Sequence, residues 1–255
     1  MTNNSIPQGL IKGTIVERIN WTEQLFSLKI KAPIHPFKAG QFTKLAMYTE
    51  NDEWPRRAYS FINAPDDELL EFLLITVPDG ELSPRLNNLQ AGDSLYVGED
   101  PAGFMTLDEI PEAAKDLWML STGTAIGPFL SMLADPKSLD RFEHIVLVHA
   151  VRTKADLVYQ DRMTALQEKL GTIFSYIPVV SREIVPDTLS GRIPALLASG
   201  TLSKTNGVPL DPIHSFFLIC GNPEMVRDCR ATLEELGYNK HLRRQAGHFT
   251  SENYW

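Results

Sequence analysis

Arg57-Ala58-Tyr59-Ser60 brings a cation, an aromatic ring and a hydroxyl together in one short stretch of chain. In an extended strand, alternate residues share a face, so Arg57 and Tyr59 project together and Ser60 projects to the other side. An arginine can hold a diphosphate while a tyrosine ring stacks on a flat heterocycle. Taken alone, the stretch is better explained as a barrel strand with an exposed arginine and a core tyrosine.

A second motif favours the nucleotide interpretation. Gly123-Thr124-Ala125-Ile126-Gly127-Pro128 follows an apolar run and precedes a helical pattern. A glycine turn that opens a helix is the usual cradle of a diphosphate. Position 121 is a serine, so the full Gly-x-Gly-x-x-Gly fingerprint is absent, and tight strand-to-helix packing is the alternative. Together the two motifs predict two nucleotide cofactors, a flavin and a nicotinamide, that meet across a domain boundary.

Arginines follow the predicted strands of the C-terminal half. The candidates, with one serine, are Arg152, Ser181, Arg182 and Arg192. A dinucleotide fold selective for NAD offers an acidic residue to the ribose 2′-hydroxyl. Arginines instead suit a 2′-phosphate, which they bind through bidentate, charge-assisted hydrogen bonds. We therefore expect selectivity for NADP, with scattered surface arginines as the alternative.

Two other residues have both a functional and a structural interpretation. Ser83 is predicted to cap a helix whose first residue is Pro84. The free backbone amides at this helix start favour an anion, so Ser83 could bind a phosphate. A purely structural helix cap explains the serine equally well. Cys220 ends a predicted strand ahead of Gly221-Asn222-Pro223 and could face a nicotinamide. A buried structural thiol is the alternative, because cysteine is among the most buried residue types.

Short apolar runs separated by turn residues occupy the chain up to about residue 105. Several short strands at such spacing predict a closed barrel or a sandwich. The predicted strands are Ile11–Ile19, Leu25–Ile30, Phe42–Tyr48, Ala58–Ile62, Leu70–Val77 and Ser94–Val97.

From about residue 113 the pattern changes to alternating strands and helices, which predicts a parallel, doubly wound sheet. The predicted strands are Asp116–Leu120, Ile145–Ala150, Ile173–Val180 and Ser215–Cys220, and the predicted helices are Pro128–Ala134, Asp161–Leu170, Ile193–Ala198 and Pro223–Leu236. We expect two domains, residues 1–106 and 113–255, joined by a connector at 107–111.

Composition narrows the class of protein. A net charge of −8 over 255 residues argues against a nucleic-acid binder. The two cysteines have neither metal-ligand spacing nor a disulfide pattern, and the six histidines are scattered, so we expect no metal and a reducing cytoplasm. The start of the chain lacks the features of a signal peptide, and no apolar run approaches the roughly 18 residues that span a bilayer.

The C-terminal stretch has two unusual features. A basic cluster, Lys240-His241-Leu242-Arg243-Arg244, stands out in an acidic protein and could receive an acidic partner. The chain then ends in Tyr254-Trp255, although chain termini are normally polar and mobile. Docking of these aromatic rings on a cofactor would explain them, and packing on the barrel is the alternative.

In this order, the motifs resemble the bacterial ferredoxin (flavodoxin)–NADP reductases, in particular the subclass whose chain ends in Tyr-Trp. The resemblance covers essentially the whole chain, from Trp21-Thr22 and Ala39-Gly40-Gln41-Phe42-Thr43 to Trp255. It implies an antiparallel six-stranded FAD-binding barrel followed by a Rossmann-like NADP-binding domain. It also implies hydride transfer from NADPH to flavin N5, and then two single-electron steps to ferredoxin or flavodoxin.

For the barrel, the resemblance implies how the flavin is held. Arg57 would bind the FAD diphosphate, Tyr59 would stack on the isoalloxazine and Ser60 would lie near flavin N5. Thr76 and Val77 would flank the flavin, and Ser83 would bind phosphate at the start of its helix.

For the second domain, the resemblance implies a site for NADP. Thr124 would approach the junction of flavin and nicotinamide, and Cys220 would lie beside the nicotinamide. The adenosine 2′-phosphate would be held by Arg152, Ser181, Arg182 and Arg192. The predicted cofactor-binding residues are completed by Ala58, Leu82, Gly123 and Asp228.

At the end of the chain, Tyr254 would cover the second flavin face and Trp255 would lie against the FAD adenine. Plant-type relatives place a catalytic carboxylate just before a single terminal tyrosine. Here the nearest carboxylate is Glu252, two residues before Tyr254, and Trp255 is added. This departure leaves open whether Glu252 relays protons.

The expected electron partner is ferredoxin or flavodoxin, both acidic as families, bound by a monomer of this chain. The candidate docking residues are Arg56, Lys240, Arg243 and Arg244. The alternatives are an enzyme that releases reduced flavin, an electron-transfer subunit of a larger oxidoreductase, and a module that holds nucleotide without turnover. Electron-transfer subunits of related families usually carry a cysteine-rich iron–sulfur segment, which this chain lacks.

Overall fold

The structure is a computed structural model that describes residues 5–135 and 139–254. It divides into two compact units. The first contains residues 5–106 together with Leu130–Asp135, and the second contains Leu107–Phe129 together with the described residues from 139 onward. The predicted connector forms a 3₁₀ turn at Leu107–Glu109 and belongs to the second unit.

The first unit is built on a six-stranded antiparallel sheet with the strand order β4-β3-β6-β1-β2-β5. Its elements are β1 (Leu10–Asn20), β2 (Leu25–Lys31), β3 (Phe42–Ala46), β4 (Arg56–Ser60), β5 (Leu70–Ile75), the short helix α1 (Ser83–Asn87) and β6 (Ser94–Gly98). The edge strands approach each other just past β4, where the Ile62 amide donates to the Glu71 carbonyl at 2.9 Å. The sheet is therefore barrel-like, as predicted.

The interior of this barrel holds large apolar side chains that do not contact solvent. Phe26, Phe61 and Phe72 are fully buried, and the rings of Phe37 and Phe61 stack with centroids 4.0 Å apart. Burying an aromatic side chain contributes about 1.5–3 kcal/mol. This core lies beneath β4, which carries Arg57 and Tyr59, and beneath β5, which Thr76 and Val77 follow.

The second unit is built on a six-stranded parallel sheet with the order β10-β9-β8-β7-β11-β12. Its strands are β7 (Asp116–Thr122), β8 (His144–Val151), β9 (Phe174–Val180), β10 (Leu189–Ser190), β11 (Ser215–Gly221) and β12 (Phe249–Asn253). Its helices are α3 (Gln160–Leu170), α4 (Ile193–Ala198), α5 (Thr201–Asn206) and α6 (Pro223–Glu235), and α2 (Gly127–Ala134) begins in it.

One face of the parallel sheet packs on helices α4, α5 and α6. Trp118 and Phe217 stack on this face with ring centroids 6.0 Å apart, next to Cys229 and Leu233 of α6. Because all six strands run the same way, their carboxyl ends meet along one edge, where ligands of open α/β sheets bind. Within the described stretches of the chain, no helix has the length and apolar character that crossing a membrane requires.

All ten predicted strands are confirmed, as are the five predicted helices, which include the one expected to begin at Pro84, with ends that shift by a residue or two. Among the strands and α-helices that the structure describes, three were not predicted. The strand β10 is only two residues long and α5 only six, so neither gives a clear periodic signal. The strand β12 reads FTSEN, a polar edge strand without the alternation expected of a half-buried one.

Candidate cofactor-binding sites

Strand β4 carries the first predicted site residues. Arg57 pairs with Leu45 of β3 and Tyr59 pairs with Thr43, both of which are buried. Arg57 itself is exposed, while Tyr59 is half-buried against the barrel core. Burial raises the pKa of Tyr59 to about 12, although the charge of Arg57 acts in the opposite direction. The phenol is therefore protonated at neutral pH, next to an exposed guanidinium that can bind an anion.

The segment after β5 forms a closed turn. The Gly80 amide donates to the Val77 carbonyl at 2.9 Å, and the Val77 amide donates to the Ser83 hydroxyl at 2.9 Å. These bonds hold Val77 with its side chain 54% exposed. The hydroxyl of Thr76 is buried and has no hydrogen-bond partner among the residues that the structure describes.

The prediction that Ser83 caps α1 is wrong. The cap is Leu82, whose carbonyl accepts the Leu86 amide at 3.0 Å, and Ser83 is the first residue of the helix. The Ser83 hydroxyl does not cap α1, since it accepts the Val77 amide across the turn. The predicted role of Ser83 in binding phosphate stays a prediction, as does the role of Leu82.

The chemistry of these residues fits an FAD. Arg57 offers an exposed cation for a diphosphate, and Tyr59 offers a protonated aromatic ring at the margin of an apolar core. Thr76 and Val77 follow β5, which the Ile62–Glu71 hydrogen bond joins to the end of β4. Ser60, by contrast, is buried at the end of β4. Ala58 lies between Arg57 and Tyr59 in the sequence and is exposed.

In the second unit, the carboxyl edge of the parallel sheet gathers the predicted arginines. Arg152 follows β8, Arg182 follows β9 and Arg192 follows β10, and these three strands are neighbours. The Arg182 amide donates to the Arg152 carbonyl at 3.0 Å, and the Ser181 hydroxyl donates to the Val151 carbonyl at 3.0 Å. All three arginines are exposed. The edge thus presents several guanidinium groups to solvent, a donor set that fits a phosphate.

A residue that sequence reasoning missed joins the loops that carry Arg152 and Arg182. The Glu183 carboxylate accepts the backbone amide of Lys154 at 2.9 Å. Thr153 and Asp156 form a capping box around the same turn. The Thr-x-x-Asp spacing is a recognisable signal that could have identified this turn from sequence.

The predicted glycine turn opens as a 3₁₀ turn, Gly123–Ile126, that leads into α2. Gly123 has φ +56°, a left-handed conformation that a side chain disfavours, and no heavy atom lies within 4 Å of where its Cβ would be. Thr124, the next residue, is buried. The turn therefore has an open side that leaves room for a ligand close to the backbone, which fits a dinucleotide.

A second strand-to-helix turn, after β11, lies against the first. The Asn222 amide donates to the Thr122 hydroxyl at 2.9 Å, and a Cβ on Gly221 would come within 2.1 Å of the same oxygen. The Asn222 side chain caps α6 by accepting the amides of Glu224 and Met225. Asparagine followed by proline is a sequence signal for such a cap, although its link to Thr122 is not visible in the sequence.

A row of polar residues crosses the sheet one or two positions before the carboxyl ends of its strands. Glu252 pairs with Cys220, Cys220 with Ser121, and Ser121 with His149, on four adjacent strands. Cys220 is only 1% exposed, and burial together with Glu252 raises the pKa of its thiol well above the usual range. The thiol is therefore protonated at neutral pH and is not a nucleophile.

Two members of this row, Ser121 and His149, were not predicted as site residues, and the histidine is the ionisable one. It is fully buried, and its Nε2 lies 3.0 Å from the Gly123 carbonyl oxygen. Burial lowers the pKa of the imidazole to about 4, so the ring is neutral at pH 7. A single polar residue inside the apolar strand IVLVHAV is the signal that could have found it.

The remaining candidates lie outside this row. The Tyr254 amide donates to the Gly221 carbonyl at 3.0 Å, which holds the end of the chain along β11, and Trp255 lies outside the described residues. The Asp228 carboxylate accepts from Arg227 at 3.0 Å on the surface of α6. The residues that the structure describes contain no group of three or more His, Cys, Asp or Glu side chains that could hold a metal ion.

The basic candidates for docking are exposed, but they are not equivalent. Arg243 forms an ion pair with Glu109 at 2.9 Å within the second unit. Lys240 and Arg244 lie on the same exposed stretch before β12. Arg56 is exposed at the start of β4 in the first unit. A docking role for these residues stays a prediction.

Comparison with known proteins finds relatives that match both units of this chain. Residues 119–231 match the family model described as the oxidoreductase NAD-binding domain. The flavodoxin/ferredoxin–NADP reductase of Escherichia coli (strain K12) is 50% identical over 96% of this chain and 98% of its own length. The ferredoxin–NADP reductase of Pseudomonas aeruginosa is 38% identical over 86% of each chain.

A solved structure agrees with these relatives. The crystal structure of a ferredoxin NADP⁺ reductase from Neisseria gonorrhoeae with bound FAD and NADP superimposes with a TM-score of 0.92 at 35% identity, covering 98% of this chain and 100% of that one. Identity and coverage of this extent, over both units, show the family. The chain belongs to the flavodoxin/ferredoxin–NADP reductases, which are FAD-dependent oxidoreductases.

Proposed function

We propose that this protein transfers electrons between NADPH and a one-electron carrier, ferredoxin or flavodoxin, by way of FAD. The observation that carries the proposal is the set of exposed arginines at the carboxyl edge of the parallel sheet, in a chain whose barrel fits a flavin. FAD held by Arg57 and Tyr59 would supply the redox chemistry, which is two-electron exchange with a nicotinamide and one-electron exchange with a carrier.

In the barrel, the chain's task is to bind and orient the flavin. Arg57 is proposed to bind the diphosphate, because its guanidinium is exposed and pairs well with phosphate oxygens. Tyr59 is proposed to stack on the isoalloxazine, because its ring is half-buried and its phenol is neutral. Ser60, Thr76 and Val77 are proposed to border the reacting end of the flavin.

In the α/β unit, the arginines decide which nicotinamide cofactor binds. Arg152, Arg182 and Arg192 follow three neighbouring strands, so a single 2′-phosphate can reach more than one of them. Ser181 is proposed to join them, although its hydroxyl also donates to the Val151 carbonyl. NADH lacks the 2′-phosphate and leaves these guanidinium groups without their anionic partner, which predicts selectivity for NADPH.

Near the reacting atoms, no side chain needs to act as a nucleophile. Cys220 is proposed to lie beside the nicotinamide as a small, neutral, protonated group. Tyr254 is proposed to cover the second flavin face and to move aside for the nicotinamide, which would make its displacement a gating step. A proton-relay role for Glu252, which pairs with Cys220 in the sheet, is a separate proposal.

For the carrier, the proposed docking residues are Lys240, Arg244 and Arg56, with Arg243 weakened by its pairing with Glu109. A basic patch on an acidic protein steers an acidic carrier to one place. We propose that the protein acts as a monomer in the cytoplasm. The two free, buried cysteines support a reducing compartment.

An anaerobic titration of the purified protein tests the proposal. A yellow protein that is bleached by near-stoichiometric NADPH, and far less readily by NADH, would support FAD, the arginine assignment and hydride transfer together. A protein that does not take up FAD, or that is indifferent to NADPH, would overturn it. Retention of FAD through gel filtration separates this proposal from a diffusible flavin reductase, which releases its flavin.

A further inference from the structure

His149 lies in the middle of a directed chain of hydrogen bonds inside the second unit. Its Nε2 lies 3.0 Å from the Gly123 carbonyl oxygen, and its Nδ1 lies 3.4 Å from the Tyr176 hydroxyl. The Gln160 amide group in turn donates to the Tyr176 hydroxyl at 3.2 Å. His149 is fully buried on strand β8, and Tyr176 is half-buried on strand β9.

The chemistry of the partners assigns the direction of each bond. The Gly123 carbonyl can only accept, so the imidazole proton is on Nε2. In a neutral ring, Nδ1 is then an acceptor, and the Tyr176 hydroxyl donates to it. Burial raises the pKa of Tyr176 to about 12, which keeps that hydroxyl protonated. The chain of bonds runs from Gln160 through Tyr176 and His149 to the glycine turn.

This arrangement controls which way the turn faces. In a trans peptide, the carbonyl of one residue and the amide of the next point in opposite directions. Because the Gly123 carbonyl is directed inward to His149, the Thr124 amide is directed away from His149. The first amides of a helix have no partner within the helix, so they are available to an anion.

We propose that His149 is a positioning residue for NADP, which acts by holding the Gly123 carbonyl so that the turn presents its amides to the dinucleotide diphosphate. The inference rests on the proposed function, because it assumes that NADP binds along this edge of the sheet. His149 does not contact the dinucleotide itself. Its effect is transmitted through the backbone of residues 123–124.

Two ligands separate this role from a general effect on folding. NADP⁺ engages both the glycine turn and the arginines, whereas 2′-AMP carries only the part that the arginines bind. Removing the donor in His149→Leu leaves the Gly123 carbonyl without its His149 partner, so the turn is no longer held with its amides facing the diphosphate. We therefore expect the Kd of NADP⁺ to rise about tenfold, while the Kd of 2′-AMP changes less than about twofold.

The conservative variant and a control complete the experiment. His149→Gln keeps an amide donor at a reach similar to Nε2, so we expect the Kd of NADP⁺ to return to within about threefold of the wild-type value. His144→Leu makes the same change at the amino end of β8, where Asp116 is the partner at 2.7 Å, and should leave both ligands unaffected. Each Kd is measured by calorimetry on protein with FAD bound.

The outcomes are distinguishable. If His149→Leu binds NADP⁺ as tightly as wild type, or loses both ligands equally, the inference is wrong while the proposed function stands. If the wild-type protein binds neither ligand, the proposed function itself fails. Should His149→Leu not fold, long-range ¹H–¹⁵N NMR of the wild-type imidazole decides the matter. A proton on Nε2, together with a Kd of NADP⁺ in His149→Gln within about threefold of the wild-type value, supports the inference, and a proton on Nδ1 overturns it.

Discussion

Cys220 and Glu252 occupy paired positions on two adjacent parallel strands, β11 and β12, so a buried thiol and a carboxylate are neighbours in the sheet. A carboxylate beside a thiol disfavours the thiolate, and burial disfavours it further. Both effects raise the pKa of Cys220. The pairing also means that Glu252 is held by backbone hydrogen bonds of β12, although it lies close to the end of the chain.

The first prediction concerns thiol reactivity. Cys229 is buried too, and burial, with Asp228, raises the pKa of its thiol to about 12. We therefore expect the native protein to show no rapidly reacting thiol with a disulfide reagent at pH 7–8, and both cysteines to react once the chain is denatured. A fast-reacting native thiol that disappears in Cys220→Ser would contradict the assignment.

The second prediction concerns the choice between NADPH and NADH. Removing one guanidinium in Arg182→Ala should weaken NADPH binding by about 10- to 100-fold, because a charge-assisted hydrogen bond contributes about 1.5–3 kcal/mol. NADH binding should change little. Calorimetric Kd values for both nucleotides check this, with Lys169→Ala, which removes an exposed cation at the end of α3, as the matched control. An equal loss of affinity for NADPH and NADH would show that Arg182 does not bind the 2′-phosphate.

Much of the fold and of the edge site could be predicted because the signals are local. The run at β8 is apolar almost throughout, as expected of a strand buried on both faces, and its place in a parallel sheet follows from the helices around it. Once the sheet is parallel, its carboxyl ends must meet. Arg152, Arg182 and Arg192 could therefore be placed together without any knowledge of distances.

What could not be predicted depends on partners that are distant in the chain or hidden by a turn. His149 and Gly123 are 26 residues apart, and nothing in either segment indicates the bond between them. Ser83 has the spacing of a helix cap, but a closed turn places the Val77 amide within reach of its hydroxyl. The strand β12 forms because β11 offers an unpaired edge, and its own residues do not indicate it.

The third prediction concerns the end of the chain. If Tyr254 covers the flavin, Tyr254→Ala should strengthen nicotinamide binding, because the displacement no longer opposes it. We expect the Kd of NADP⁺ to fall, and Tyr254→Phe, which keeps the ring, to behave like wild type. The Tyr254 amide is bound to the Gly221 carbonyl, so neither substitution removes that backbone bond. An unchanged affinity in Tyr254→Ala would rule out the covering role.

The fourth prediction concerns the carrier. Reversing two charges in Lys240→Glu/Arg244→Glu should raise the KM for ferredoxin or flavodoxin and flatten its dependence on salt, because long-range attraction is lost. Arg243→Glu alone should have a smaller effect, since Arg243 is already paired with Glu109. The KM for NADPH should not change. Lys204→Glu reverses an exposed charge on α5, away from this stretch, and serves as control. If it matches the double variant, the docking surface is not at residues 240–244.

The last prediction concerns stability against pH, and its sign follows from the pKa of His149. Burial lowers this pKa from 6.5 to about 4 in the folded protein, although Gly123 and Asp156 act in the opposite direction. Above pH 6.5 the ring is neutral in both states, so its full contribution is present. As the pH falls toward 4, His149 becomes protonated in the unfolded chain but stays largely neutral in the folded protein. About 3 kcal/mol of the free energy of unfolding is lost as a result.

Urea unfolding of wild type and His149→Gln between pH 7 and pH 4.5 measures this loss. The stability difference between the two proteins should shrink as the pH falls, because only the wild type carries the buried imidazole. His35 should show the opposite dependence of stability on pH. It is exposed and lies 2.8 Å from Asp100, and its hydrogen bond to Asp100 raises its pKa. Its contribution is present below pH 6.5 and is lost as the pH rises, so the difference between wild type and His35→Gln should grow on acidification. A wild-type–His149→Gln difference that is constant with pH would show that the imidazole titrates normally and is not held neutral beneath the glycine turn.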